Sequence, residues 1–310
     1  VMKKAGITLA DVQHIAIGWN YNWYADMPSS TAPSDDFYNA LDREYAGKKG
    51  IDIAAIKRRT VPLRNKARFQ PERVKEFLVA LAEEQGVDED AIHVTTFVRH
   101  HRAHAANAYY LCGFSEPTLV VTLDGYGDGE AGSIWIGENN TMTEISTIAF
   151  PDSLGQLWAS ITEYLGFKPT VHEGQVMGFA AYGAPRDSAE EKRVMRLRSF
   201  MDEYIQLLDG TIRVNAEFLY FGEFSEGRSR ITDCMMERLA SIVPLSKKKS
   251  QHIDPDYDRG LANLAYVLQE KTDEVVLGLL HYYLKQHPQT KGLTRVAYAG
   301  GVALNVITNG

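Results

Sequence analysis

Strand-like and helix-like patterns alternate along this 310-residue chain, and a chain patterned that way folds as helices layered on a sheet, an α/β protein. The clearest strand is the short apolar run LVVTL at 119–123. It stops at Asp124-Gly125-Tyr126-Gly127-Asp128-Gly129, which reads as a glycine turn. Two alternating runs, 132–137 and 142–149, flank Asn139-Asn140 and predict a hairpin. Residues 295–299 (RVAYA) form another strand, running into Gly300-Gly301, and 12–19 and 91–98 are β-rich.

The helical pattern is equally plain in places. Residues 71–85 open on Pro71, keep Val74, Phe77, Leu78 and Leu81 on one face and stop at Gly86. Segment 100–112 ends at Gly113, and 154–165 ends at Gly166. Residues 259–286 form a long amphipathic helix behind Asp258 as N-cap. Stretches 20–70 and 205–255 read as irregular loops that would shape an acceptor pocket, and the run Lys57-Arg58-Arg59 reads as a solvated helix end. The best junction is 114–118 (FSEPT), dividing 1–115 from 116–310.

A formal net charge of -7 argues against a polyanion as the main partner, so nucleic acid is not expected. No stretch approaches the roughly 20 apolar residues of a membrane span. No secretory signal opens the chain, and Cys112 and Cys234 lie far apart. Both are read as free thiols in a reducing cytoplasm. Neither end carries a domain-boundary pattern, so a piece of a longer protein is expected.

Four clusters bear chemistry. In His100-His101-Arg102-Ala103-His104, positions i and i+4 share a helix face, so His100 and His104 can offer two imidazoles to one ion. His101 is turned about 100° away. Neutral imidazole suits zinc and iron, with an oxygen ligand to complete the set. The same spacing also fits surface or capping histidines. Asp124 ends a strand, and the glycines after it let backbone N–H groups close on an anion, although Asp-Gly is equally a turn pair. Gly300-Gly301 leads from a strand into a helix-forming run, a setting for nucleotide contact or for plain packing. Residues 172–183 (HEGQVMGFAAYG) read as a loop feeding a helix near a ligand, or as a structural loop packing Met177 and Phe179.

Taken in order, HHRAHA (100–105), DGYGDG (124–129), EGQVMGFAAYG (173–183) and GGVALN (300–305) resemble the O-carbamoyltransferase family of nodulation-factor, cephem and aminoglycoside carbamoyltransferases. The stretch SLGQLWASITEYLGF (153–167) is similar to the family's segment between the second and third motifs. The likeness extends to the hydrogenase-maturation carbamoyltransferase and to the protein that makes threonylcarbamoyl-adenosine in tRNA. The resemblance implies an actin-like ATPase fold of two lobes around a cleft, truncated at both ends. Residues 1–115 would be the first lobe without its N-terminal hairpin, and 116–310 the second without its C-terminal part and that part's metal-binding aspartate.

It further implies that His100 and His104 hold Fe(II) or zinc with Asp124 beside the ion. Gly125, Gly127, Gly300 and Gly301, with Asp128 and Asn305, would cradle the nucleotide of carbamoyl-adenylate. That donor is made from carbamoyl phosphate and ATP by a further domain, and its carbamoyl group passes to a hydroxyl of a sugar or other small acceptor. Asp124, His101 and His172 are the catalytic candidates, the two histidines as general bases. Gln175 stands where many relatives have lysine. An actin-like sugar kinase or ATPase would share the fold without needing HHRAHA. A non-catalytic nucleotide-binding module is the other alternative. The acceptor and the oligomeric state are not legible.

Overall fold

The computed structural model describes residues 2–12, 14–19, 71–88, 90, 94–219, 231–244 and 258–310. Stretch 20–70, with its Lys57-Arg58-Arg59 run, lies outside them. In chain order the elements are α1 (Met2–Ala5), β1 (Ile15–Ile17), α2 (Pro71–Gln85), β2 (Val94–Phe97) and α3 (His100–Leu111). Then come β3 (Thr118–Gly127), β4 (Glu130–Glu138), β5 (Thr141–Ala149), α4 (Leu154–Tyr164), α5 (Glu173–Ala180) and α6 (Ser188–Tyr204). The rest are β6 (Ile205–Leu208), β7 (Thr211–Val214), α7 (Asp233–Ala240), α8 (Arg259–Lys285), β8 (Arg295–Ala299), a 3-10 turn Gly301–Leu304 and α9 (Val306–Asn309). None of the described helices is long and apolar enough to cross a membrane.

The main sheet has the order β5-β4-β3-β8. Strands β3, β4 and β5 are antiparallel neighbours, and β8 runs parallel to β3 with Thr122 opposite Ala299. Asn139 and Asn140 both take positive φ (50° and 59°), as the predicted hairpin turn requires. The glycine turn after residue 123 is corrected: β3 continues through Asp124-Gly125-Tyr126-Gly127, and the reversal falls at Asp128-Gly129, both at positive φ. The register with β4 shifts between Leu123 and Gly127, so the motif lies in an irregular strand end.

Strand alternation divides the core in two. Leu119, Val121 and Leu123 face Leu157, Ile161 and the apolar side of α8. Val120, with Trp135 of β4 and Ala297 of β8, faces Ala105 and Tyr109 of α3. Each fully buried side chain of this size contributes about 1.5–3 kcal/mol. Helix α3 precedes the junction at 114–118, yet it lies on the sheet that follows it. A Cβ at Gly137 would fall 2.3 Å from the Tyr109 ring, which shows how closely helix and sheet approach.

Within 205–255, the described residues 205–219 and 231–244 are more regular than predicted. β6 and β7 pair as a hairpin, and α7 starts at Thr232, whose hydroxyl caps Met235 N. The long helix α6 begins where Asp187 accepts from the N–H groups of Ala189 and Glu190.

Residues 182–184, at the end of the fourth motif, are a docking point for α8. Arg259 grips Glu190 through two hydrogen bonds of 2.8 Å and donates to the carbonyls of Tyr182 and Ala184. Asn263 donates to Gly183 O at 2.7 Å, and a Cβ at Gly183 would lie 2.0 Å from Ala262 O. Only glycine permits that approach. Hydrogen bonds from Arg259 hold the Glu190 carboxyl down at about 2, and Glu190 is only 7% exposed. A carboxyl lowered on folding contributes stability above its unfolded value, near 4.5, and loses it as pH falls through about 2. Glu190→Gln is therefore expected to cost about 3 kcal/mol at neutral pH. Urea denaturation should show that difference shrinking between pH 5 and pH 2; a pH-independent difference would contradict the pairing.

Candidate active site

The parallel pairing of β1 with β2 leads directly into α3, because only Val98 and Arg99 lie between the end of β2 and His100. One helical turn separates His100 from His104, so their rings share a face. Strand period 2 puts Val120, Thr122 and Asp124 on the side of β3 that α3 covers. The three meet: His104 Nε2 lies 3.0 Å and His100 Nε2 3.4 Å from Asp124 Oδ2, and the two Nε2 atoms are 3.0 Å apart.

This set fits a metal ion. Two imidazoles and one carboxylate make a 2-His-1-carboxylate donor group. Donors about 2.1 Å from a shared ion, at 90–109° to one another, lie roughly 3.0–3.4 Å apart. His100 Nδ1 lies 3.2 Å from Gly18 O, a backbone partner that holds the ring with Nε2 toward the centre. Burial works against charge on Asp124, but hydrogen bonds from His100 and His104 outweigh it and hold the carboxyl well below the usual range. Burial likewise lowers His100, and the bond to Asp124 more than offsets that, so its net shift is upward.

A cavity of about 390 Å³ opens beside Asp124. Its walls come from the β3 end (Asp124, Gly125), the start of α4 (Gly155, Gln156), the start of α5 (Glu173, Gly174) and the turn after β8 (Gly301, Asn305). The β3–β8 register explains the last: Ala299 pairs with Thr122, so Gly300 and Gly301 arrive next to Leu123 and Asp124. A Cβ on Gly301 would sit 2.9 Å from Asp124 Oδ1, and Gly300 takes φ +94° against Leu123 O.

The carbamoyltransferase N-terminus family pattern matches residues 42–310. The chain belongs to that family. An uncharacterised Synechocystis protein, sll1178, is 32% identical over 217 residues, covering 69% of this chain and 31% of that protein. Nodulation protein NolNO of Sinorhizobium fredii is 30% identical over 231 residues, 74% of this chain and 28% of its own length. Nodulation protein NolO of Bradyrhizobium diazoefficiens is 28% identical over 214 residues, 69% and 32%. The chain thus spans about a third of the length of these relatives.

Within this carbamoyltransferase N-terminal chain the predicted site residues divide. Asp124, Gly125, Gly301 and Asn305 border the cavity. Gly125 N–H, however, is spent on Asp124 Oδ1 at 2.6 Å. The Asn305 side chain caps α9 through Ile307 N and Thr308 N and donates to Gln269. Gly127 and Asp128 are not among the residues lining the cavity: a Cβ at Gly127 would lie 2.1 Å from the His100 ring, and Asp128 Oδ2 accepts from His100 N at 2.6 Å.

Neither histidine offered as a base faces the cavity. His101 is fully buried, with Nδ1 2.8 Å from Thr122 Oγ1 and Nε2 3.2 Å from Glu130 O. Burial, and next the nearby His100, lower it to about 4, so it is neutral. His172 caps its own loop, Nδ1 accepting from Lys168 N at 3.2 Å, while its neighbours Val171 and Glu173 line the wall.

Some contributors had no sequence signal. Gly18 and Trp19 follow β1; the Trp19 ring centroid is 4.5 Å from that of His100. Others had one: Ser153 and Gln156 stand at capping-box spacing, Ser153 Oγ accepts from Gln156 N, and Gln156 Nε2 donates to Gly125 O at 3.3 Å. Gly127→Ala should displace the His100 ring and cost about 2–4 kcal/mol. Thermal melting and His100 ring NMR shifts check this; unchanged shifts would contradict the packing.

Proposed function

We propose that this domain carries out carbamoyl transfer to a hydroxyl at the cavity beside Asp124. The observation that carries the reading is the convergence of His100 Nε2, His104 Nε2 and Asp124 Oδ2 at the edge of a cavity that Asp124 itself lines. Membership of the carbamoyltransferase family supports the reaction type. The donor in this reading is carbamoyl-adenylate, made from carbamoyl phosphate and ATP elsewhere in the protein. The mixed sheet with helices on both faces supports an actin-like lobe, one that takes in α3 as well as the residues from 116 onward.

His100, His104 and Asp124 would hold a divalent iron or zinc ion, which supplies Lewis acidity to a bound carbonyl or hydroxyl. The chain's own groups do the rest. Asp124 is kept ionised by its two imidazole partners, and Gly301 leaves room for a ligand oxygen near it. The apolar wall, Trp158, Met177 and Val302, excludes water from a donor that hydrolysis would waste. The acceptor oxygen bonds to the carbamoyl carbon, the carbon–oxygen bond to the phosphate breaks, and AMP leaves with that electron pair. Glu173 takes the hydroxyl proton. It lines the cavity, and only its Oε1 is engaged, by Thr170 N, among the described residues.

The intact protein with alanine at both 100 and 104 is expected to retain under about a tenth of the wild-type iron or zinc, from the loss of two of three ligands. Full occupancy by elemental analysis would overturn the metal assignment. Glu173→Gln should keep its metal and lose about 10²–10⁴-fold in transfer of labelled carbamoyl from carbamoyl phosphate and ATP to a sugar acceptor. Sugar phosphorylation without carbamoyl transfer by the wild type would select the kinase reading instead.

A further inference from the structure

The start of α3 is attached to the main sheet at three consecutive residues, 99–101. Arg99 donates to Glu144 at 2.8 and 2.9 Å and to Glu130. His100 N donates to Asp128, and the His101 ring lies between Thr122 and Glu130. The third attachment is the end of a longer string of hydrogen bonds. Glu130 O can only accept, so His101 Nε2 carries the ring proton and Nδ1 is an acceptor. Thr122 Oγ1–H then donates to Nδ1 at 2.8 Å in preference to Ser133 O, which lies farther off at 3.4 Å. With its proton committed, Thr122 Oγ1 accepts from Ser133 N at 3.0 Å and from Ser133 Oγ at 2.7 Å. Ser133 Oγ in turn accepts from Trp135 Nε1 at 2.7 Å.

His101, Thr122 and Ser133 are wholly buried and Trp135 nearly so, so water cannot replace any member of the string. An orphaned group there costs its full desolvation.

We infer that the string Trp135–Ser133–Thr122–His101–Glu130 positions the His100/His104 turn over Asp124, making His101 and Thr122 positioning residues for the metal-binding set rather than groups that touch substrate. The geometry is local and tight. Thr122 precedes Asp124 by one strand repeat, and His101 adjoins His100. A side-chain hydrogen bond of 2.8 Å thus ties the element bearing two donor atoms directly to the strand bearing the third, one repeat from Asp124. Loss of it lets the helix turn slide against the strand, and three donors that must agree within a few tenths of an ångström no longer do. The inference rests on the metal reading above, and it makes a claim that reading does not: direction of hydrogen bonding, not volume, is what Thr122 supplies.

The test compares Thr122→Val, which keeps the volume and removes the hydroxyl, with Thr122→Ser, which keeps the hydroxyl and removes a methyl. Zinc is titrated into the intact apo-protein against a competing chelator. Thr122→Val is expected to lose about 10–100-fold in zinc affinity, and Thr122→Ser to stay within about 3-fold of wild type. A purely structural role would give the opposite order or equal losses. Wild-type affinity in Thr122→Val would overturn the inference. If that variant does not fold, Ser133→Ala, one bond further along, should lose affinity by a smaller factor, and no loss there overturns it equally. Should the wild type bind no zinc or iron, the metal reading falls. The His100 ring resonances then still decide the positioning claim, since they should move in Thr122→Val and stay in place in Thr122→Ser.

Discussion

A strand turns alternate side chains to opposite faces, and the site depends on that rule as applied to β3. Val120, Thr122 and Asp124 fall on one face, and α3 covers it. Val120 packs the helix, Thr122 hydrogen-bonds its first turn and Asp124 meets its two partly buried histidines. A one-residue slip of β3 would send all three to the other core together. The pairing of β3 with β4 on one side and β8 on the other holds the register.

Close approach is the second condition. Glycine under α3 lets helix and sheet come near enough for short hydrogen bonds, with Gly127 accommodating the His100 ring and Gly137 the Tyr109 ring. On the cavity side Gly301 does the same for the Asp124 carboxylate. These glycines are spaces rather than hinges. Two that look like an anion cradle in the sequence, Gly127 and Gly301, make room for the His100 ring and the Asp124 carboxylate. The electrostatic consequence is concentrated at Asp124, whose charge is retained despite burial because two imidazoles and a backbone N–H surround it.

Much of this could be read from residue order. The hairpin at Asn139-Asn140, the helix after Pro71, the helix stops at Gly113 and Gly166 and the strand RVAYA all appear where local pattern puts them. Regions 188–204, 205–214 and 233–240 were not legible. Their regularity comes chiefly from burial of Leu197, Met201, Ile212 and Met235 in a shared core, beyond the caps at Asp187 and Thr232. The reversal at 128–129 was misplaced because Asp-Gly at 124–125 has the same turn chemistry as the pair that reverses the chain. His101 and His172 looked free for proton transfer because a sequence shows a ring but not what surrounds it.

Residues 100–104 alone determine that two imidazoles share a helix face, since the helix pitch acts within one turn. Residues 119–124 alone determine that the carboxylate lies on the same side as Val120 and Thr122. Which histidines face it, which is sealed in the core and which glycines border an open cavity were decided by tertiary structure. Each of those depends on how α3, α4 and the β8 turn settle against a single strand, and contacts between segments far apart in the chain set those distances. Local pattern carries no record of them.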